Sequence, residues 1–171
     1  MLFWLEQNGF DVSYFTDTDT DRNGHLLLNH KIWISNGHDE YWSANQRSNV
    51  EAARGAGVHL AFFSSNSVYW KTRWENSTTT AAPFRTLVCF KETWADAPID
   101  PAVPPTSTAT WRDPRFSPPQ DGGFPENALI GALTRITGGY YGQISVPQVD
   151  GLMRFWRNTT VAQLAPGTNC A

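Results

Sequence analysis

A short polar stretch in the first third of the chain concentrates side chains that can do chemistry. It reads Gly37-His38-Asp39-Glu40-Tyr41 and follows an apolar segment that is predicted to be a strand. An imidazole can act as an acid, a base or a metal ligand near neutral pH, and a carboxylate two residues away can orient it or hold a metal ion. The stretch is therefore a candidate site. The structural alternative is a solvated turn whose carboxylates favour the N-terminus of the next helix.

Asn66 is the second candidate, at the end of the polar turn Ser64-Ser65-Asn66 that follows another predicted strand. A side-chain amide can donate a hydrogen bond to an oxyanion that develops during amide hydrolysis. Asparagine in a turn more often bonds to its own backbone. Taken alone, Asn66 is better explained as a turn residue, so its interest depends on what lies beside it.

One acidic segment resembles a cation site only in part. Asp19-Thr20-Asp21-Arg22-Asn23-Gly24 matches the first half of a calcium-binding loop. The match then fails, because the twelfth position is His30 where a bidentate glutamate is needed. The segment is interpreted as a solvated acidic turn.

The two cysteines, Cys89 and Cys170, do not define a disulfide framework. Cys89 lies in the apolar run Leu87-Val88-Cys89-Phe90, where cysteine acts as a small hydrophobic residue. No positive neighbour is evident that would activate its thiol. The sequence therefore argues against a cysteine nucleophile.

The elements around the two polar turns alternate between helix and strand. The first half reads as a helix at Met1–Gln7, a strand at Val12–Phe15, a short amphipathic segment at His25–Leu28, a strand at Lys31–Ser35, a helix from the N-cap Ser43 to Arg54 that ends at Gly55 and Gly57, and a strand at His59–Phe63. This alternation is typical of a parallel sheet with crossover helices. Ligands bind such sheets beyond the carboxyl ends of the strands, so we expect both turns to face one crevice.

The second half is less regular. Thr86–Phe90 is predicted to be a strand, and residues 95–125 form a Pro-rich irregular excursion of a length typical of a lid, a cover or an interaction surface. Glu126–Leu133 is predicted to be a short helix after Pro125, and the tail from Gly138 to Val149 has β character. The chain begins without an N-cap and ends without a closing element. We therefore expect truncation at both ends, with residues 1–171 forming one incomplete domain.

Composition excludes several classes of function. Hydrophobic residues make up 40% of the 171 residues and charged residues 17%, which indicates a globular chain. The formal charge of −3 argues against nucleic acid as a partner, and no apolar run is long enough to span a membrane. Eight tryptophans indicate aromatic packing around a cleft or an interface, or ordinary core packing.

Several segments, in the same order along the chain, resemble the N,N-dimethylformamidase large-subunit (beta) family, in its C-terminal domain. They are Trp4 to Tyr14, Gly37 to Ser43, Ala61 to Trp70, Thr110-Trp111-Arg112-Asp113-Pro114 and Pro125 to Gly131. The resemblance implies an α/β fold with three α/β/α layers and a mostly parallel sheet, similar to class I glutamine amidotransferases and flavodoxin-like, with the amidotransferase cysteine lost.

The resemblance also implies a metal centre and roles for three residues. In the named enzyme, two tyrosinates and one glutamate hold a mononuclear ferric ion. Carried over by motif, Glu40 would be the glutamate ligand, His38 an acid or base beside it, and Asn66 a group that orients substrate or water; Asp39 and Tyr41 are nearby candidates. The ligand tyrosines would lie before residue 1. We therefore expect Fe(III) in the complete protein, and poor iron binding or none by residues 1–171 alone.

The function predicted on this basis is metal-assisted hydrolysis of a small N-alkyl amide or a related C–N bond, with a small amide as substrate. A homo-oligomer or a small partner subunit is the assembly expected. The alternative is a catalytically inactive, secreted or surface binding module on the same scaffold, whose tryptophans and Pro-rich excursion would contact carbohydrate or protein. The family also includes extracellular proteins, so a secreted full-length form is compatible with either function.

Overall fold

The computed structural model describes residues 1–91, 98–114, 124–133 and 145–170. The chain divides into two compact units, Met1–Thr134 and Arg135–Ala171. In the first unit the helices are α1 (Leu2–Gln7), α2 (Asp17–Arg22), α3 (Ala44–Gly55) and α4 (Asn127–Ile130), and the strands are β1 (Ile32–Gly37), β2 (Tyr41–Ser43), β3 (His59–Ser64), β4 (Trp70–Glu75), β5 (Thr86–Val88) and β6 (Ala109–Thr110). All five candidate site residues belong to this unit.

A strand–helix–strand segment places the two polar turns. β1 and β3 pair in parallel, and Gly37 lies opposite Ser64 at their carboxyl ends. The connecting helix α3 begins where predicted, because the Ser43 side chain accepts a hydrogen bond from the backbone N–H of Gln46 at 3.0 Å. The helix buries one face, formed by Gln46, Arg47, Val50 and Ala53. The predicted strands at β1 and β3 and the helix between them are confirmed.

A second sheet contains strands of both directions. β2 pairs in parallel with β4, whereas β5 and β6 both pair antiparallel with β4. The mixed α/β character of the fold is confirmed. The sheets of the described residues are small and mixed, so the three-layer arrangement around a mostly parallel sheet stays a prediction.

Aromatic side chains fill the core between α3 and the sheets. Trp42 is fully buried and packs edge-on against Trp33, with ring centroids 5.7 Å apart, while Phe62 contacts both rings. The wider cluster adds Leu27, Val50, Ala53, Val58, Val68, Trp111 and Leu129. Ordinary core packing therefore accounts for several of the tryptophans, although Trp4 is exposed.

Two local predictions in the first half are wrong. Val12–Phe15 is not a strand, and three of its four residues are exposed; an alternating pattern alone does not supply a pairing partner. The acidic segment at Asp19 is not a turn, because its first four residues belong to α2. Thr16 caps this helix in a capping box with Asp19. The amphipathic segment at His25 is a 3₁₀-helix, Gly24–Asn29.

The later elements are shorter than predicted. β5 covers only the start of the predicted strand, and α4 ends at Gly131, which has a φ of 73°. Residues 98–114 of the Pro-rich excursion contain β6 and turns, while its residues 95–97 and 115–123 lie outside the described residues. In the second unit β7 (Val146–Pro147) pairs antiparallel with β8 (Asn169–Cys170), and α5 (Gln148–Gly151) follows β7. Residues 138–144 of the predicted β-like tail are outside the described residues.

The first turn of α2 gives the protein a pH-dependent stability term. Burial, followed by the nearby Asp39 charge, raises the pKa of Asp17 from 3.8 to about 6, and a hydrogen bond from Gln46 opposes the rise. Between these two values the folded protein binds more protons than the unfolded chain. Its stability therefore falls as the pH rises through this range. Asp17 as a whole residue is exposed to solvent, which keeps the energy small.

We expect Asp17→Asn to remove this term. The stability of the variant relative to the natural protein should increase as the pH rises from 4 to 6.5, as measured by urea unfolding. Asp19→Asn is the matched control, since hydrogen bonds with Thr16 lower the pKa of Asp19. A lowered pKa gives a stability contribution that is lost only as the pH falls toward and below 3.8, so the stability of this control relative to the natural protein should not increase between pH 4 and 6.5. Parallel pH curves for Asp17→Asn and the natural protein would contradict the assignment.

Candidate active site

The two polar turns meet at the carboxyl ends of β1 and β3. The backbone N–H of Ser65 donates to the carbonyl of Gly37 at 3.1 Å, and the N–H of Asp39 donates to Ser64 Oγ at 3.0 Å. Farther along, the N–H groups of Tyr69 and Trp70 both donate to the carbonyl of Glu40, at 3.1 and 2.8 Å. These bonds join the two turns into one rim. The rim is the place where a parallel pair of strands is expected to bind a ligand.

His38 and Glu40 face each other across this rim. His38 Nε2 lies 3.2 Å from Glu40 Oε2. The imidazole is 58% exposed and the carboxylate 16% exposed, so the pair can be reached from solvent at its histidine side. An accessible imidazole that is oriented by a carboxylate can transfer protons.

The other oxygen of Glu40 is held by a residue thirty positions away. Trp70 Nε1 donates to Glu40 Oε1 at 3.1 Å. Lys91 Nζ lies over the Trp70 ring, 5.0 Å from its centroid, and over the Tyr41 ring at 4.7 Å. Lys91 also donates a hydrogen bond to the Tyr41 hydroxyl. The carboxylate is thus fixed at both oxygens, next to a cation.

Lys91 stays protonated beside these groups. Burial lowers the pKa of its ammonium group, but the hydrogen bond to Tyr41 and the nearby charges of Tyr41, Cys89 and Glu40 outweigh burial, so the pKa of Lys91 is raised. Lys91 therefore brings a permanent positive charge close to the Glu40 carboxylate. Tyr41, a nearby candidate from the sequence, is the contact between that charge and β2.

Asp39 points into the fold. Its carboxylate accepts hydrogen bonds from Ser35 Oγ at 2.6 Å and from Trp42 Nε1 at 2.7 Å. Burial raises the pKa of Asp39, although both of these hydrogen bonds lower it. These contacts connect the polar turn to the aromatic core through Asp39. The neighbouring residues His38 and Glu40 face the rim.

Asn66 lies on the same rim but makes no contact with the other two candidates through hydrogen bonds. It is half-buried, with a left-handed φ of 51°, and its side-chain amide has no hydrogen-bond partner in the part of the chain that the structure describes. Val68 has a φ of 58°, which is strained for a β-branched residue. Its N–H donates to the Asp39 carbonyl at 3.0 Å. The turn after β3 is therefore held in an unusual conformation beside the His38–Glu40 pair.

Cys89 lies near the site, but its thiol is not expected to be reactive. Burial raises the pKa of its thiol to about 11, and the charge of Lys91 lowers it only in part. The sequence-based statement that Cys89 has no positive neighbour is wrong, because Lys91 is close to it. The argument against thiol catalysis is unchanged, since a thiol with this pKa forms very little thiolate near neutral pH.

The described residues supply one oxygen ligand of the kind that a hard trivalent cation prefers. Glu40 has a carboxylate that is anchored at both oxygens and partly accessible, which suits a ligand held in place by its neighbours. Within residues 1–91, 98–114, 124–133 and 145–170, no three His, Cys, Asp or Glu side chains lie close enough to hold a metal ion. Glu40 therefore fits as a single ligand, and these residues do not form a complete ligand set.

Trp70 and Lys91 are site residues that the sequence interpretation did not single out for a role. In the sequence, Trp70 belongs only to a segment that resembles the family, and Lys91 directly follows the apolar run Leu87–Phe90. The only local signal for Lys91 is its place directly after this apolar run. The indole partner of Glu40 required the pairing of β2 with β4, which no local pattern reveals.

No helix of the described residues is long and apolar enough to cross a membrane. A search of curated proteins finds no match to the chain. A family model described as N,N-dimethylformamidase beta subunit-like, C-terminal, matches residues 1–170. The match covers the rim that carries His38, Glu40 and Asn66. The chain therefore belongs to the N,N-dimethylformamidase beta subunit-like, C-terminal family.

Proposed function

We propose that this chain carries part of the active site of a metal-assisted hydrolase that cleaves small N-alkyl amides such as N,N-dimethylformamide. Membership of the family supports amide hydrolysis in general terms. The observation that carries the proposal is the His38–Glu40 pair, 3.2 Å apart at a rim where ligands of parallel strands bind. The substrate class follows from the family description, because N,N-dimethylformamide is a small amide without an N–H group.

In this proposal, each residue of the rim has a separate role. His38 holds or accepts a proton at Nε2, and Glu40 Oε2 stabilises the protonated imidazole. The Asn66 amide, which makes no hydrogen bond among the described residues, orients substrate or water at the same rim. Trp70 and His38 together keep the Glu40 carboxylate in one orientation. Each role requires only a small ligand that bridges the two turns.

We further propose that Glu40 is one ligand of a ferric ion in the complete protein, with the remaining ligands supplied from outside residues 1–171. A bound ferric ion would supply Lewis acidity toward the amide carbonyl and a bound water. His38 and Trp70 contact the two oxygens of the Glu40 carboxylate and hold it in one orientation, as a metal ligand requires. We also propose that the complete domain has the three-layer, mostly parallel arrangement that the resemblance implies.

A second candidate function is a binding module without catalysis. Exposed aromatic side chains favour it, since the N-terminal region presents Phe3, Trp4, Phe10, Tyr14 and Phe15 to solvent. Aromatic faces of this kind bind carbohydrate or protein surfaces. The two functions differ in whether the rim residues matter for turnover.

The deciding experiment measures dimethylamine release from N,N-dimethylformamide by the complete protein. We expect His38→Gln to lower kcat/KM by roughly a hundredfold or more, because positioned acid–base groups contribute about that much. His59→Gln is the matched control: it also replaces an exposed histidine, but at the opposite end of β3 from the rim. Its kcat/KM should be unchanged.

Two results would reject the catalytic proposal. The first is equal activity of His38→Gln and His59→Gln, which would leave the rim without a role in turnover. The second is the absence of amide hydrolysis by the iron-loaded complete protein. Either result, combined with carbohydrate or protein binding that Trp4→Ala weakens, would favour the binding module.

A further inference from the structure

A cavity lined by none of the rim residues lies along the first two turns of α3. It has a volume of about 290 Å³, near the lower end of the range of ligand pockets, roughly 300–1,000 Å³. Its described lining residues are Ala44, Arg47, Ser48, Glu51, Lys71, Pro105, Trp111 and Phe124. The lining combines aromatic rings with charged side chains, which is unusual for a simple packing defect because apolar cavities carry no such groups.

Arg47 gives this cavity a rigid buried cation. The residue is only 1% exposed, and its guanidinium lies over the rings of Trp111 and Phe124, at 4.7 and 5.0 Å from their centroids. It donates to the carbonyl of Phe124 at 2.6 Å and to Glu51 at 2.9 Å. Lys71, also buried, places its Nζ 5.6 Å from the Trp111 centroid. The charges are therefore fixed before any ligand arrives.

Trp111 adds a hydrogen-bond donor that has no acceptor among the described residues. The residue is 3% exposed, and its buried Nε1 makes no hydrogen bond to this part of the chain. A buried N–H without an acceptor costs free energy, which a ligand oxygen would recover. The same residue lines the cavity, so the unmet donor, the cations and the open volume coincide.

The cavity and the rim use opposite faces of β4. Trp70 contacts Glu40 at the rim, whereas the next residue, Lys71, lines the cavity. Successive side chains of a strand point to opposite faces. A ligand in the cavity would therefore not occupy the amide site.

We propose that this cavity binds a small organic carboxylate with an apolar body. The carboxylate would accept from Trp111 Nε1–H beside the Arg47 and Lys71 cations, and the apolar body would pack against Phe124 and Pro105. Inorganic anions lack the apolar part, and neutral amides lack the charge. The proposal does not depend on the amide hydrolase function or on iron.

The experiment titrates benzoate into the protein by isothermal titration calorimetry. We expect saturable binding that is at least about tenfold tighter than that of benzamide or inorganic phosphate, since a hydrogen bond to a charged group is worth roughly that factor. Trp111→Phe keeps a six-membered aromatic ring and removes the pyrrole part of the indole with its N–H, so it should weaken benzoate binding by about tenfold, with circular dichroism as the folding check. Glu51→Gln should tighten binding, because it removes the one carboxylate of the described lining.

Trp74→Phe is the matched control. Trp74 Nε1 is also buried with no hydrogen-bond partner in the described ranges of the chain, but this residue does not line the cavity. Its benzoate affinity should equal that of the natural protein. The proposal is overturned if benzoate does not bind saturably, if benzamide or phosphate binds as tightly, or if Trp111→Phe and Trp74→Phe have the same affinity. Loss of amide hydrolysis in any variant has no bearing on this outcome.

Discussion

Glu40→Gln should lower kcat/KM for N,N-dimethylformamide by more than about a hundredfold, and it should lower the iron content of the complete protein. The bound on the rate follows because even the groups that orient metal ligands contribute roughly 10- to 100-fold. Glutamine keeps an oxygen that can accept from Trp70 Nε1, so the turn should stay folded. The measurements are dimethylamine release and iron content per chain, with circular dichroism as the folding check.

Glu75→Gln provides the control for a lost carboxylate. Glu75 ends β4, has a side chain that is 45% exposed, and pairs with Arg73 at 2.7 Å. Its rate and iron content should match those of the natural protein. Full activity of Glu40→Gln would remove the metal role, whereas loss of activity with unchanged iron content would reassign Glu40 to the orientation of His38.

Trp42→Ala should destabilise the fold by about 3–5 kcal/mol, the usual cost of removing a large buried aromatic side chain. Trp42 is fully buried, and its ring contacts Trp33 and Phe62. The truncation also removes the indole N–H that donates to Asp39 at 2.7 Å. Urea unfolding, followed by near-ultraviolet circular dichroism, measures the change.

Trp4→Ala is the control for Trp42→Ala, because it removes a tryptophan that lies outside the core. Trp4 is 56% exposed on α1, a helix with no buried residue, so we expect a change within about 0.5 kcal/mol. Trp42→Phe should lie between the two variants, because it keeps a buried aromatic ring but loses the pyrrole part of the indole together with the donor to Asp39, whose loss alone costs about 1–3 kcal/mol. Equal stabilities of Trp42→Ala and Trp4→Ala would place the core elsewhere.

The elements that the sequence predicts well are those whose signals are local. The helix after Ser43 has a capping side chain at its start and glycines at its end, and the strands at Ile32 and His59 are continuous apolar runs. The segment at Val12 is also rich in apolar residues, but it pairs with no strand of the described residues. The sequence does not predict β4, because Lys71 and Arg73 interrupt the apolar residues of this partly buried strand.

The residues of the candidate site likewise differ in whether a local sequence signal predicts them. The turn that carries His38 and Glu40 could be located from its composition and its position after a strand, and the structure brings these two side chains together. The contributions of Trp70 and Lys91 depend on contacts across 30 and 50 residues with Glu40 and Tyr41. Such contacts arise from tertiary packing, which no short pattern records.

The alternation along β4 limits how this region of the gene can vary. Trp70 and Lys71 are adjacent in the chain yet belong to two separate ligand environments. Inserting or deleting one residue between Asn66 and Trp70 would turn the strand over by one position and exchange its faces. The indole would then leave Glu40 and the ammonium would leave Trp111 in a single step, so length changes in this loop should be far less tolerated than substitutions.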